Sequence, residues 1–77
     1  MNAERRKALT KLYSQLDDIK NEVESLKDQE QEAFDNMPEG LQQGERGQKS
    51  EQAVGELENA VSSLEDALTS IDNSTSE

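Results

Sequence analysis

The residues best suited to chemistry lie in one short stretch. Asn36-Met37-Pro38-Glu39-Gly40-Leu41-Gln42, followed by Glu45 and Arg46, holds amides, a cation, carboxylates and apolar side chains within about a dozen positions, and Phe34 stands just before it. An arginine at the start of a helix, where unpaired backbone N–H groups gather, is a place for an anion or a phosphate. Phe34 and Met37 could stack on a ring. The structural reading is that Leu41 plugs the open end of the fold and Arg46 pairs with Glu39 or Asp35.

A second candidate is electrostatic. The chain has 18 acidic and 8 basic side chains among 77 residues, a formal net charge of −10. They are unevenly placed: residues 1–11 hold four basic and one acidic side chain, net +3, and residues 12–77 hold four basic and seventeen acidic, net −13. Asp28, Glu32, Asp35 and Glu39 form the sharpest acidic face. Such a face either keeps a small protein in solution or steers a basic partner toward it. Direct nucleic-acid binding is not expected, because the only basic cluster, Arg5-Arg6-Lys7 with Lys11, is short and has one aromatic nearby, Tyr13.

Catalysis is not expected. The chain has no His and no Cys. No serine stands with a base partner, and Asp17 and Asp18 point to different helix faces. The same absences remove disulfides and make a zinc site improbable, so neither a metal nor a cofactor is called for. No apolar run approaches the ~20 residues that span a bilayer. The basic start leads into an amphipathic pattern and not an apolar stretch, so no signal peptide is expected and a cytoplasmic setting is.

These residues need elements to position them. Leu9, Leu12, Leu16, Ile19, Val23, Leu26, Ala33 and Met37 follow alternating steps of three and four, with Glu30 in the slot between Leu26 and Ala33. This is a heptad pattern with apolar a and d positions. It predicts a helix over about 3–36, capped by Asn2 and stopped by Pro38 and Gly40. Val54, Leu57, Val61, Leu64, Leu68 and Ile71 repeat the pattern and predict a second helix over about 48–72. Beside them run Ala53, Ala60 and Ala67, at g, and Glu51, Glu58, Glu65 and Asp72, at e; the acidic row opposes parallel self-pairing. Gly55 sits inside this helix, either as a close-contact point or merely tolerated.

Three glycines and the only proline fall within 37–47, which reads as a turn. Two heptad helices on a short connector give an all-α antiparallel hairpin over 1–72, with 73–77 a disordered tail. A turn centred near Gln42 sets Leu26 opposite Leu57 to Ala60, Ile19 opposite Leu64 and Leu12 opposite Ile71. Tyr13, Leu9, Phe34 and Leu41 are then left partly outside the seam. Glu30 either pairs with Lys27 or Arg46, setting register, or sits where the bundle opens. So small a hairpin buries little, and a homodimer forming an antiparallel four-helix bundle is the expected remedy, with a monomeric hairpin the alternative. The expected core is Leu12, Leu16, Ile19, Val23, Leu26, Leu57, Val61, Leu64 and Leu68.

The stretch Glu32-Ala33-Phe34-Asp35-Asn36-Met37-Pro38-Glu39-Gly40-Leu41-Gln42, then Glu45-Arg46-Gly47 and an Ala/Leu/Glu-rich second helix, resembles small acidic proteins encoded by phages and prophages, mostly of unassigned function. The basic start and Leu-rich first helix extend the resemblance over nearly the whole chain; only the turn is distinctive. The resemblance implies a non-enzymatic protein that binds and blocks a host factor in the bacterial cytoplasm, as a host-defence antagonist. It leaves open an oligomeric sponge that sequesters a nucleotide immune signal at the turn. The acidic charge also leaves open a DNA mimic, and the resemblance a phage assembly or structural protein.

Overall fold

A computed structural model describes residues 1–76. The chain is all-helical, in the order α1 (Ala3–Asp35), α2 (Glu39–Gln42) and α3 (Glu45–Thr75). α1 and α3 lie against each other as an antiparallel hairpin, and the Cα envelope measures 58 × 14 × 13 Å. Among the described residues no helix is long and apolar enough to cross a membrane.

The ends of α1 follow from local chemistry. The Asn2 side chain accepts a hydrogen bond from the Arg5 backbone N–H at 2.8 Å, satisfying one of the donors that a helix start leaves unpaired. At the other end the Asn36 N–H bonds to the Glu32 carbonyl at 3.0 Å and the Met37 N–H to the Phe34 carbonyl at 3.1 Å. Pro38 cannot continue the ladder, so α1 stops there. Pro38 then serves α2: its carbonyl accepts from the N–H groups of Leu41 and Gln42 at 2.9 and 3.0 Å.

The turn is shorter and more ordered than its composition suggests. α2 fills the middle of the stretch expected to be irregular, and α3 begins at Glu45, behind Gly44, where a start near 48 was expected. No residue among those described has a positive φ, glycines included. Gly47 is required for space: a Cβ placed there would collide with the Gln42 backbone, so α2 and α3 meet at a point that only a bare Cα allows.

α3 also runs past its expected end. Ser74 Oγ donates to the Ile71 carbonyl at 2.7 Å, and Thr75 Oγ1 donates to the Asp72 carbonyl at 3.1 Å. These hydroxyls fold back onto carbonyls of the last turn. Of the tail expected to be disordered, Asn73 to Thr75 are therefore helical and Ser76 caps them. Glu77 lies outside the described residues.

The largest departure concerns which columns of α1 enter the seam. On α3 the seam is the expected one: Val54, Val61 and Leu68 are buried, and Leu57, Leu64 and Ile71 are half-buried. On α1 the half-buried seam residues are Leu9, Leu16, Val23 and Glu30, with Met37 just past its end, interleaved with Tyr13, Lys20, Lys27 and Phe34; Arg6 and Asp17 are half-buried as well. Leu12, Ile19 and Leu26, expected opposite α3, are instead 51%, 50% and 58% exposed. Leu9, Tyr13 and Phe34, expected partly outside, take up seam positions.

The reason is geometric. A two-helix seam accepts two columns from each helix. In α1 the column Leu9, Leu16, Val23, Glu30, Met37 is shared by two overlapping heptad frames. The frame adopted adds two aromatic side chains and two lysines whose aliphatic stems cover apolar surface while their ammonium groups reach water. Lys20 and Lys27 meet Asp17 and Asp28 at 3.7 and 3.1 Å. Among the described residues no apolar side chain is fully buried, and Ser50 is a buried polar residue inside the seam, where its hydroxyl donates to Glu30 Oε1 at 2.9 Å.

Two outcomes follow. Gly47→Ala lowers stability by about 1–3 kcal/mol through the clash with the α2 backbone, whereas Gly55→Ala, with open space around its Cα, raises it by about 0.5–1 kcal/mol; paired thermal melts check both signs. Ser50→Ala costs about 1 kcal/mol by depriving a half-buried carboxylate of its donor, and adding Glu30→Leu restores that loss or more; chemical denaturation of the single and double variants measures the difference.

Candidate functional site

At the turn, the structure gives most of the singled-out residues a mechanical task. Gln42 Nε2 donates to the Phe34 carbonyl at 2.9 Å and lies 3.4 Å from that of Asp35, so its amide ties α2 to the end of α1. Asn36 is the C-cap of α1 and Pro38 the N-cap of α2. Phe34 and Met37 are half-buried as the last members of the α1 seam, which leaves neither ring nor thioether as an open platform. Leu41 is 45% exposed and does not plug the hairpin end.

The first turn of α3 holds its own counter-charges. Glu45 sits there and takes the Lys49 ammonium at 3.4 Å. Arg46 is exposed and pairs with neither Glu39 nor Asp35 among the described residues. Gln31 is hydrogen-bonded to Asp35 at 3.0 Å. The surface of the described residues holds no cavity. Phe34, Arg46 and the start of α3 are thus close in sequence without converging on an enclosed site.

The carboxylates are arranged more purposefully along the length of the hairpin. Asp28, Glu32, Asp35 and Glu39 are all exposed at the turn end, with Asp28 engaged by Lys27. A longer row was legible only in part. On α3, Glu51, Glu58, Glu65 and Asp72 recur every seven residues and are exposed. On α1, Asp17 and Glu24 occupy the equivalent flank of the seam.

Lys27 shows that these two rows share one edge. Its ammonium is held above the ordinary lysine range, first by the hydrogen bond to Asp28, with further attraction from Asp28, Glu58 and Glu24. Burial of the side chain works in the opposite direction. One cation near the middle of the seam thus feels Glu24 of α1 and Glu58 of α3 together, which places both acidic rows on its side. Lys20 occupies the same column of α1 and binds Asp17 of the acidic row.

The opposite edge follows by elimination around each helix. It carries Leu12, Ile19, Leu26 and Ala33 from α1 and Ala53, Ala60 and Ala67 from α3, with no carboxylate in either row. The hairpin is thus sided: carboxylates line one long edge and apolar side chains the other. Each edge is half present on one helix and completed by the other across the seam. Comparison with protein-family models, curated proteins and solved structures returns no match to this chain.

Proposed function

We propose that the chain is a non-enzymatic interaction protein. It associates into a homodimeric four-helix bundle and uses its acidic edge to bind a basic surface on another protein. The observation that carries this reading is the alignment of Asp17 and Glu24 with Glu51, Glu58, Glu65 and Asp72 along one edge of a rod 58 Å long. A row of carboxylates on a helical scaffold presents a strong, directional field, which accelerates encounter with a complementary surface and rejects like-charged ones.

The thinness of the hairpin supports the dimeric part. Val54, Val61 and Leu68 are the buried apolar residues of the described chain. Small domains with so little core gain their stability from association. The resemblance of the turn and flanking helices to small phage proteins suggests the class of partner: a factor of the bacterial host, blocked by occupation of its basic surface in the cytoplasm, in the manner of a host-defence antagonist. A nucleotide sponge finds less support in the geometry, since Gln42, Phe34 and Met37 are committed to the corner and the seam.

Capture from bacterial lysate provides the check. The immobilised protein recovers a basic partner at low salt and releases it at high salt. A variant with Glu51→Gln, Glu58→Gln, Glu65→Gln and Asp72→Asn keeps its helical circular dichroism but recovers at least tenfold less. Equal recovery by that variant, or recovery insensitive to salt, removes the acidic edge as the binding surface.

A further inference from the structure

The apolar edge is left uncovered by the hairpin itself. Leu12, Ile19 and Leu26 stand seven residues apart, each at least half exposed, with Ala33 continuing the row. Ala53, Ala60 and Ala67 form a lower row beside them. The positions outside these rows are largely uncharged, with Gln15 and Gln29 on α1 and Ser63 and Ser70 on α3, interrupted by Glu22 and Glu56. A lipid surface is a poor match, because such faces are flanked by lysine and arginine and this chain has a net charge of −10.

The three large side chains of the α1 row and the three alanines of the α3 row are centred at the same height. Glu30 touches Ser50 across the seam, so counting eleven residues back from Glu30 and eleven on from Ser50 places Ile19 level with Val61, next to Ala60. The edge therefore has a natural centre between Ile19 and Ala60, as a two-fold interface needs: each contact made by one copy must be returned by the other.

We propose that two hairpins pair through this edge in opposite senses, with their turns at opposite ends and the two-fold axis running across the face at the level of Ile19 and Ala60. Ile19 meets Ile19 of the second copy, Leu12 of each copy meets Leu26 of the other, and the alanine rows close against each other. This inference rests on the dimeric bundle proposed above and adds the face and the sense of pairing to it.

Size and charge both select this arrangement. The α1 row from Leu12 to Ala33 is about 32 Å long at the helix rise, and a face of that length about 20 Å wide covers roughly 600 Å² per partner, the lower end of the range for stable interfaces. The basic start of each chain, Arg5-Arg6-Lys7 with Lys11, then lies toward the acidic turn end of the other, where Asp28, Glu32, Asp35 and Glu39 are exposed. Pairing in the same sense sets basic ends beside basic ends and acidic turns beside acidic turns. In the opposite sense both acidic edges face outward, leaving two identical surfaces for the partner protein.

The chain has no cysteine, so a single Gln43→Cys substitution carries one spin label per copy at the turn. Pulsed dipolar spectroscopy of the labelled dimer is expected to show a separation of about 60 Å, from the helix rise over the distance to the axis doubled by symmetry. A separation of about 20 Å puts the turns together and overturns the proposed sense while leaving the dimer standing. Ile19→Asp, at an exposed position, is expected to weaken dimerisation at least tenfold in sedimentation velocity. An unaltered dimer overturns the proposed face. A wild-type chain that stays monomeric at every concentration overturns both this proposal and the bundle on which it rests.

Discussion

The structure depends on the width of a two-helix seam. Each helix can turn only two columns toward a single neighbour, and α1 carries more apolar columns than that. Whatever is left over must face outward. Leu9, Leu16 and Val23 go inward with Tyr13 and Phe34, and Leu12, Ile19 and Leu26 stay outside. The sidedness of the molecule follows from this one choice of frame. Rotating α1 by one column would cover the exposed leucines, expose the aromatics and withdraw Lys20 and Lys27 from the acidic edge.

The lysines make the chosen frame sustainable. Acidic rows from two helices converge on one edge, where like charges at close range would push the helices apart. Lys27 stands among Asp28, Glu58 and Glu24, and Lys20 beside Asp17, so cations are interleaved where carboxylates are densest. The pairs are partly exposed and individually modest. Their effect is on placement: a lysine in a seam column is favoured only when carboxylates lie at the end of its stem.

The helices and the turn between them were legible in the periodicity and in Pro38 and Gly40. Their frame was not, for a physical reason. Binary patterning treats lysine as polar and so counts Leu12, Ile19 and Leu26 into the seam, whereas the protein uses the hydrocarbon part of Lys20 and Lys27 as seam material. α2 leaves no periodic signal, because Glu39-Gly40-Leu41-Gln42 is too short to have a period. The richness of the turn suggested a binding site. Most of its members are accounted for by the corner itself, through the Gln42 amide on the end of α1 and the bare Cα of Gly47 under α2. The acidic edge was half legible, since Glu51, Glu58, Glu65 and Asp72 form a visible row, while the contribution of Asp17 and Glu24 depends on the fold.

The separation of carboxylates from apolar rows has a mechanical consequence. Charge gathered on one flank gives the rod an electric asymmetry directed across its width, besides the one along its length from the basic start to the acidic turn. A body with such a transverse asymmetry experiences a torque in an external field. Near a positively charged surface the hairpin is therefore rolled about its long axis before it touches, so that the carboxylate flank arrives first and fewer collisions are spent in unproductive orientations.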